Sequence, residues 1–202
     1  MAYPTVSAPY GLKPVNLIGG QVFAGSTRLM EIASGYATSI FYGDLVKRVA
    51  AGTIELDAGT ATATPVGVFL GVSFTNQSTG QVQQQQYYPA SQAIASGTKI
   101  FAVVADDPDT LFKVVSCSAT TTVAGMGISA IGNNIALIQN AGSTSSGNSA
   151  VAIDEGTQAV TSTLPIRIID VVRETATGSD TFVEFIVKIN ATMHQYNNST
   201  GI

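Results

Sequence analysis

The chain has 202 residues, of which 45% are hydrophobic and only 11% charged, with nine Lys and Arg against thirteen Asp and Glu and a net charge of -4. An ordinary domain is about 25% charged, so much of this surface must be neutral polar or covered by neighbours, and assembly is the expectation. The basic residues Lys13, Arg28, Lys47, Arg48, Lys99, Lys113, Arg167, Arg173 and Lys188 are scattered, which disfavours nucleic acid; the apolar runs are strand-length, which leaves no helix to span a membrane.

A chain of this length can bury one substantial core. Its start lacks a cationic stretch followed by an apolar one, so no signal peptide is expected. Residues 1–28 carry Pro4, Pro9 and Pro14 beside Tyr3, Tyr10 and Leu12. Each proline removes a backbone donor and biases its predecessor to extended geometry, so this segment is expected to be an extended arm lying on another surface, its own domain's or a neighbour's.

From residue 29 to residue 140 the text alternates strand and turn. Strands are expected over residues 29–33, 39–42, 45–49, 53–56, 66–74, 82–88, 99–105, 111–115 and 134–139, bounded by Gly, Pro, Asn and Asp. Residues 118–131 read equally as loop or strand. Short strands at this spacing predict a mainly β fold, a compact antiparallel barrel or sandwich.

Residues 141–156 are rich in Ala, Gly and Ser at the start and are expected to be a flexible linker or long loop. Residues 157–202 then hold a strand pair, 165–172 and 181–189, with Val183, Phe185, Val187 and Ile189 on one apolar face. A lone pair buries too little to stand alone, so it should dock on the body or on another subunit. The tail after residue 190 reads as an exposed end that Tyr196 could anchor.

Residues that carry chemistry are few. Cys117 is alone and lies in an apolar run, which suits a small buried hydrophobe better than a reactive thiol. His194 is the only histidine, has no nucleophile in a recognisable elbow, and is expected to be a solvated tail residue. Asp106-Asp107-Pro108-Asp109 has the chemistry of a turn and lacks the spaced acids of a calcium loop. Asp154 and Glu155 are adjacent in a loop, and neither Gly19-Gly20 nor Gly125-Met126-Gly127 opens a helix. The expectation is a protein without catalytic activity, cofactor or metal; the alternative is an enzyme whose site comes together only in three dimensions, with Asp106, Asp107 or His194 taking part.

Gln83 to Gln86 followed by Tyr87-Tyr88-Pro89 could face a carbohydrate, but strand alternation sends neighbours to opposite sides. A structural strand is the preferred reading, and the absence of Trp weighs against an adhesion module.

The stretches Ala8-Pro9-Tyr10-Gly11-Leu12-Lys13-Pro14-Val15, Gly25-Ser26-Thr27-Arg28, Ile32-Ala33-Ser34-Gly35-Tyr36-Ala37, Ile40-Phe41-Tyr42-Gly43-Asp44-Leu45-Val46 and Val66-Gly67-Val68-Phe69-Leu70-Gly71-Val72 resemble the small cement or decoration proteins of tailed-bacteriophage heads. The likeness covers about the first seventy-five residues. It implies an N-terminal arm before a β-barrel, a place on the virion's capsid surface after synthesis in the bacterial cytoplasm, and two partners: the major capsid protein and the chain itself, as dimer or trimer. A tail or head-completion subunit is the nearest alternative. Tyr3, Pro4, Pro9, Tyr10, Leu12 and Pro14 are the candidate partner-binding residues, because aromatic and proline side chains bury area at small entropy cost.

Overall fold

The computed structural model describes residues 8–117, 126–176 and 182–201. Among the described residues, thirteen strands are joined by turns and three single-turn 3-10 helices. Strand-forming Val, Ile and Phe runs separated by Gly, Asn and Asp leave no segment with helical periodicity.

The first sheet is built from β2 (Arg28–Ile32), β3 (Leu45–Arg48), β4 (Ile54–Leu56), β5 (Gly67–Thr75), β6 (Val82–Gln85) and β7 (Ile100–Ala105). Its order is β3-β4-β2-β7-β5, and β3 also pairs with the start of β5, so the sheet closes on itself. β6 is added outside this ring, on the far half of β5. Closure is possible because nine-residue β5 changes partner along its length, and its register shifts between Phe69 and Gly71; such a bulge bends the strand. Ile32, Ile40, Val46, Ile54, Phe69, Phe74, Tyr88 and Ile100 fill the interior, each no more than 2% exposed.

The second sheet contains β1 (Lys13–Leu17), β8 (Thr110–Cys117), β9 (Asn134–Ile135), β10 (Leu137–Ile138), β11 (Ala152–Asp154), β12 (Ile166–Val171) and β13 (Glu184–Ile189). β8 pairs with β13, β13 with β12, and β12 with β9. β9 and β10 are two halves of one run interrupted only at Ala136, and β10 returns through β11 to β8. This sheet therefore also curls into a ring, around Phe112, Val114, Ile135, Ile153, Ile168, Phe185 and Val187. β1 lies antiparallel on the same edge of β8 that β11 covers further along.

The mainly β reading of the sequence agrees with this architecture, and most strands stand within a few residues of their expected positions; residues 39–42 form only isolated bridges at Ile40 and Tyr42, while β1 and β11 fall in the segments expected as arm and linker. The organisation along the chain differs. The division falls between β7 and β8, at Asp106 to Asp109, whereas composition placed it at 141–156. That segment holds a turn, with Gly147 N–H donating to Ser143 O at 2.8 Å, and then buried β11 paired parallel with β8. Its Ser and Gly content marks the turn, while the apolar Val151, Ala152 and Ile153 that follow belong to the core.

Both ends of the described chain cross the seam between the rings. Leu12 N–H donates to Gly43 O of the first ring at 2.9 Å, and Gly11 N–H to Val151 O of the second at 3.2 Å. Gly11 (φ +78°) and Gly43 (φ +96°) meet here. A Cβ on Gly11 would stand 2.6 Å from Ser149 Cβ, so only glycine permits both the left-handed turn and the approach. At the other end, Gln195 bridges to the first ring: its N–H donates to Pro65 O, its Oε1 accepts from Arg48 N–H at 2.7 Å, and its Nε2 donates to Arg48 O at 3.0 Å. Leu45, Ala63, Val68 and Ala105 of the first ring share one apolar cluster with the second ring's interior.

Candidate partner-binding surface

Tyr3 and Pro4 lie outside the described residues. Of the other four candidates, Pro9, Tyr10 and Pro14 are half-buried and Leu12 is fully buried. Leu12 corrects the expectation: it is a core residue of this chain, enclosed with Leu45 and Phe112, and is not available to a partner. Its position after a glycine that turns the chain inward puts it in the seam, and no periodicity in the sequence signals that.

Tyr10 is also committed within the chain. Its hydroxyl donates to Glu184 Oε1 at 2.5 Å, Lys113 Nζ lies 2.9 Å from the same oxygen, and Lys13 Nζ sits 4.7 Å from the Tyr10 ring centre. The ring packs beside Val115, Cys117, Ala152 and Phe182. Burial, and then the bond to Glu184, push the Tyr10 phenol far above its ordinary value. A buried carboxylate needs such partners, since its charge is costly without them. Pro14 starts the irregularity in β1, where the register on β8 shifts between Pro14 and Asn16; a residue lacking N–H is tolerated there.

The tail corrects a second expectation. His194 is fully buried rather than solvated, its Nδ1 accepts from Tyr196 N–H at 3.2 Å, and its Nε2 has no hydrogen-bond partner among the described residues. Burial lowers its pKa, against the opposing field of Asp106. Asp106, 6% exposed, accepts from Arg28 Nε and from the Tyr196 hydroxyl, both at 2.6 Å. Tyr196 thus anchors the tail. Asp107 to Asp109 form the turn between β7 and β8, with Asp109 N–H on Asp107 Oδ1. Cys117 is buried and unpaired, and burial raises its pKa. No group of three or more His, Cys, Asp and Glu among the described residues is placed to hold a metal ion.

Several concave features lie among the described residues. A cleft of about 500 Å³ lies at the seam, lined by Ser39, Phe41, Asp44, Leu56, Gln139 and Asn140. Its polar groups are engaged within the chain: Asp44 Oδ2 accepts from Phe41 N–H, Gln139 Nε2 donates to Asp57 O and Gly59 O, and Asn140 Nδ2 donates to Ala150 O. Burial raises the Asp44 pKa. A smaller groove of about 280 Å³ on the first ring is lined by Leu29, Phe101, Val103, Ser73, Gln84 and Gln85, none of them charged.

The Gln-rich strand borders that groove. Val82, Gln84 and Gln86 are exposed, while Gln83 and Gln85 turn inward. Tyr88 fills the ring interior and donates to Tyr36 O, and Tyr87 stacks on Phe41 with centroids 5.4 Å apart. These aromatics are therefore not a sugar platform beside the amides.

The fold and surface define a β protein of two joined rings whose accessible faces carry amides and single apolar residues. No family model matches the chain, and no curated protein or solved structure was found similar to it.

Proposed function

We propose that the chain is a structural virion protein that binds the outside of a tailed-phage capsid where capsomers meet and stabilises the expanded shell. The observation that carries this reading is the exterior. Val22, Leu29, Val82, Ile128 and Val160 are between 61% and 89% exposed on a protein of positive mean hydropathy. A surface with few charges and dispersed apolar anchors is suited to permanent contact with neighbours. Two rings stitched at a seam by both chain ends form a stiff brace, and a brace that binds only the expanded geometry stabilises that geometry by mass action. The resemblance over the first seventy-five residues points the same way.

Of the candidate anchors, Tyr3 and Pro4 stand ahead of the part committed to the chain's own core, with Pro9 at its border. Removal of residues 1–7 spares Tyr10 and Leu12, whereas removal through Pro14 takes both away. Co-sedimentation of the full chain and of the chain lacking residues 1–7 with expanded, empty heads built from the encoding phage's major capsid protein tests the reading. Pelleting of the full chain with a weaker hold for the shortened one supports it. A full chain that stays in the supernatant with expanded heads overturns it in favour of a tail or head-completion subunit.

A further inference from the structure

β6 is the free edge of the first ring: it pairs with β5, and no other described strand covers its far side. Asn76 N–H donates to Gln81 O at 2.9 Å, which sets the alternation of the antiparallel ladder. Residues 81, 83 and 85 direct their backbone groups at β5, and Val82 and Gln84 direct theirs outward. Exposed edges of this kind are ordinarily blunted by charge, proline or a bulge. Residues 81–86, Gln-Val-Gln-Gln-Gln-Gln, contain no charge, proline or glycine, and β6 pairs with β5 without a register shift.

The surroundings match. Val82 is 69% exposed at the edge, and the uncharged groove of Leu29, Phe101 and Val103 begins one strand behind it. Gln85 Oε1, on the inward face of β6, is buried without a hydrogen-bond partner among the described residues.

We infer that β6 is a self-association edge, at which a second copy of this chain adds its own β6 antiparallel across a two-fold axis at Gln84. The choice of a second copy rests on charge. A two-fold axis sets each side chain near its own equivalent, so a Lys or Glu here would meet a like charge. A glutamine carries both donor and acceptor and satisfies its own image. In this register Gln84 pairs with its own image across the axis, and Val82 lies against the end of the copy's edge. Two rings then share one continuous sheet, independently of any shell.

Light scattering on the purified full chain, without heads, measures the association. The expected mass is twice the 20.8 kDa of one chain, falling to a single chain in Gln84→Pro. Proline there removes an outward N–H that β5 does not use, so far-ultraviolet circular dichroism should be unchanged. Amide exchange of the unaltered chain at Val82 and Gln84 is the second readout, and slow exchange at both is expected. A monomeric chain with fast-exchanging edge amides overturns the inference, as does a folded Gln84→Pro that keeps the doubled mass. Edge amides that slow only when heads are added also overturn it, and assign the edge to the shell.

Discussion

The Tyr10 hydroxyl and Glu184 Oε1 are 2.5 Å apart although 174 positions separate them in the chain. Glu184 is 6% exposed and begins β13, the strand flanked on both sides within the second ring. The N-terminal segment therefore supplies part of the polar lining that lets a carboxylate be buried there. Lys113 supplies the rest.

Tyr10→Phe keeps the ring against Val115 and Phe182 and removes only the donor. A hydrogen bond to a charged group is worth about 1.5–3 kcal/mol, and Lys113 remains as a partner. A loss of about 1–2 kcal/mol is expected, read in urea as a lower midpoint with unchanged slope.

Leu12→Ala leaves a cavity between the rings. Buried Leu to Ala changes cost about 2–5 kcal/mol. Because Leu12 shares a cluster with Leu45, Val68, Phe112 and Val114, both rings should melt together in one calorimetric transition, shifted down. Separate melting of one ring, with the other unaffected, is the contrary result.

Gly11→Ala tests the seam from the backbone side. A non-glycine residue at φ +78° with its Cβ pressed on Ser149 adds strain, about 1–3 kcal/mol by comparison with other strained backbone sites. Ser149→Gly should relieve the contact and recover part of that loss in the double variant.

His194 gives stability a pH dependence of definite sign. Its folded pKa is lowered by burial, so between the folded value and the unfolded value of about 6.5 the unfolded chain binds the extra proton. The contribution is fully present above the unfolded pKa and is lost as pH falls through the folded one. Urea midpoints of the parent should fall on acidification below about pH 6.5, and His194→Gln should flatten that limb.

Asp44 acts in the opposite sense. Its carboxyl is raised by burial, so the folded state favours the protonated form, and ionisation as pH rises through the folded value is destabilising. Asp44→Asn keeps an oxygen for Phe41 N–H. At pH 7 it should unfold at a higher urea concentration than the parent, with the difference vanishing near pH 4.

Most strands were legible in the sequence because they rest on local signals. The run from Gly67 to Thr75 is apolar and β-branched, Asp107 to Asp109 carry turn chemistry, and Phe185, Val187 and Ile189 alternate with residues of the opposite face. Leu12, His194 and Tyr88 were misread or left open for a common reason. Each is buried by partners far along the chain: Leu12 by Gly43 and Phe112, His194 by the Asp106 region, Tyr88 by the interior of the first ring. Local composition describes what a residue prefers, not which distant surface will cover it.

The sequence by itself determined the β class, the turns and the low-charge exterior, since backbone propensity and side-chain polarity are properties of neighbouring residues. Only the tertiary structure decided that the chain divides at Asp106 to Asp109, that both ends are sewn across the seam, and that β6 is left as an open edge. Those facts depend on which strands pair over long separations, and pairing is set by closure of each ring around its own apolar interior.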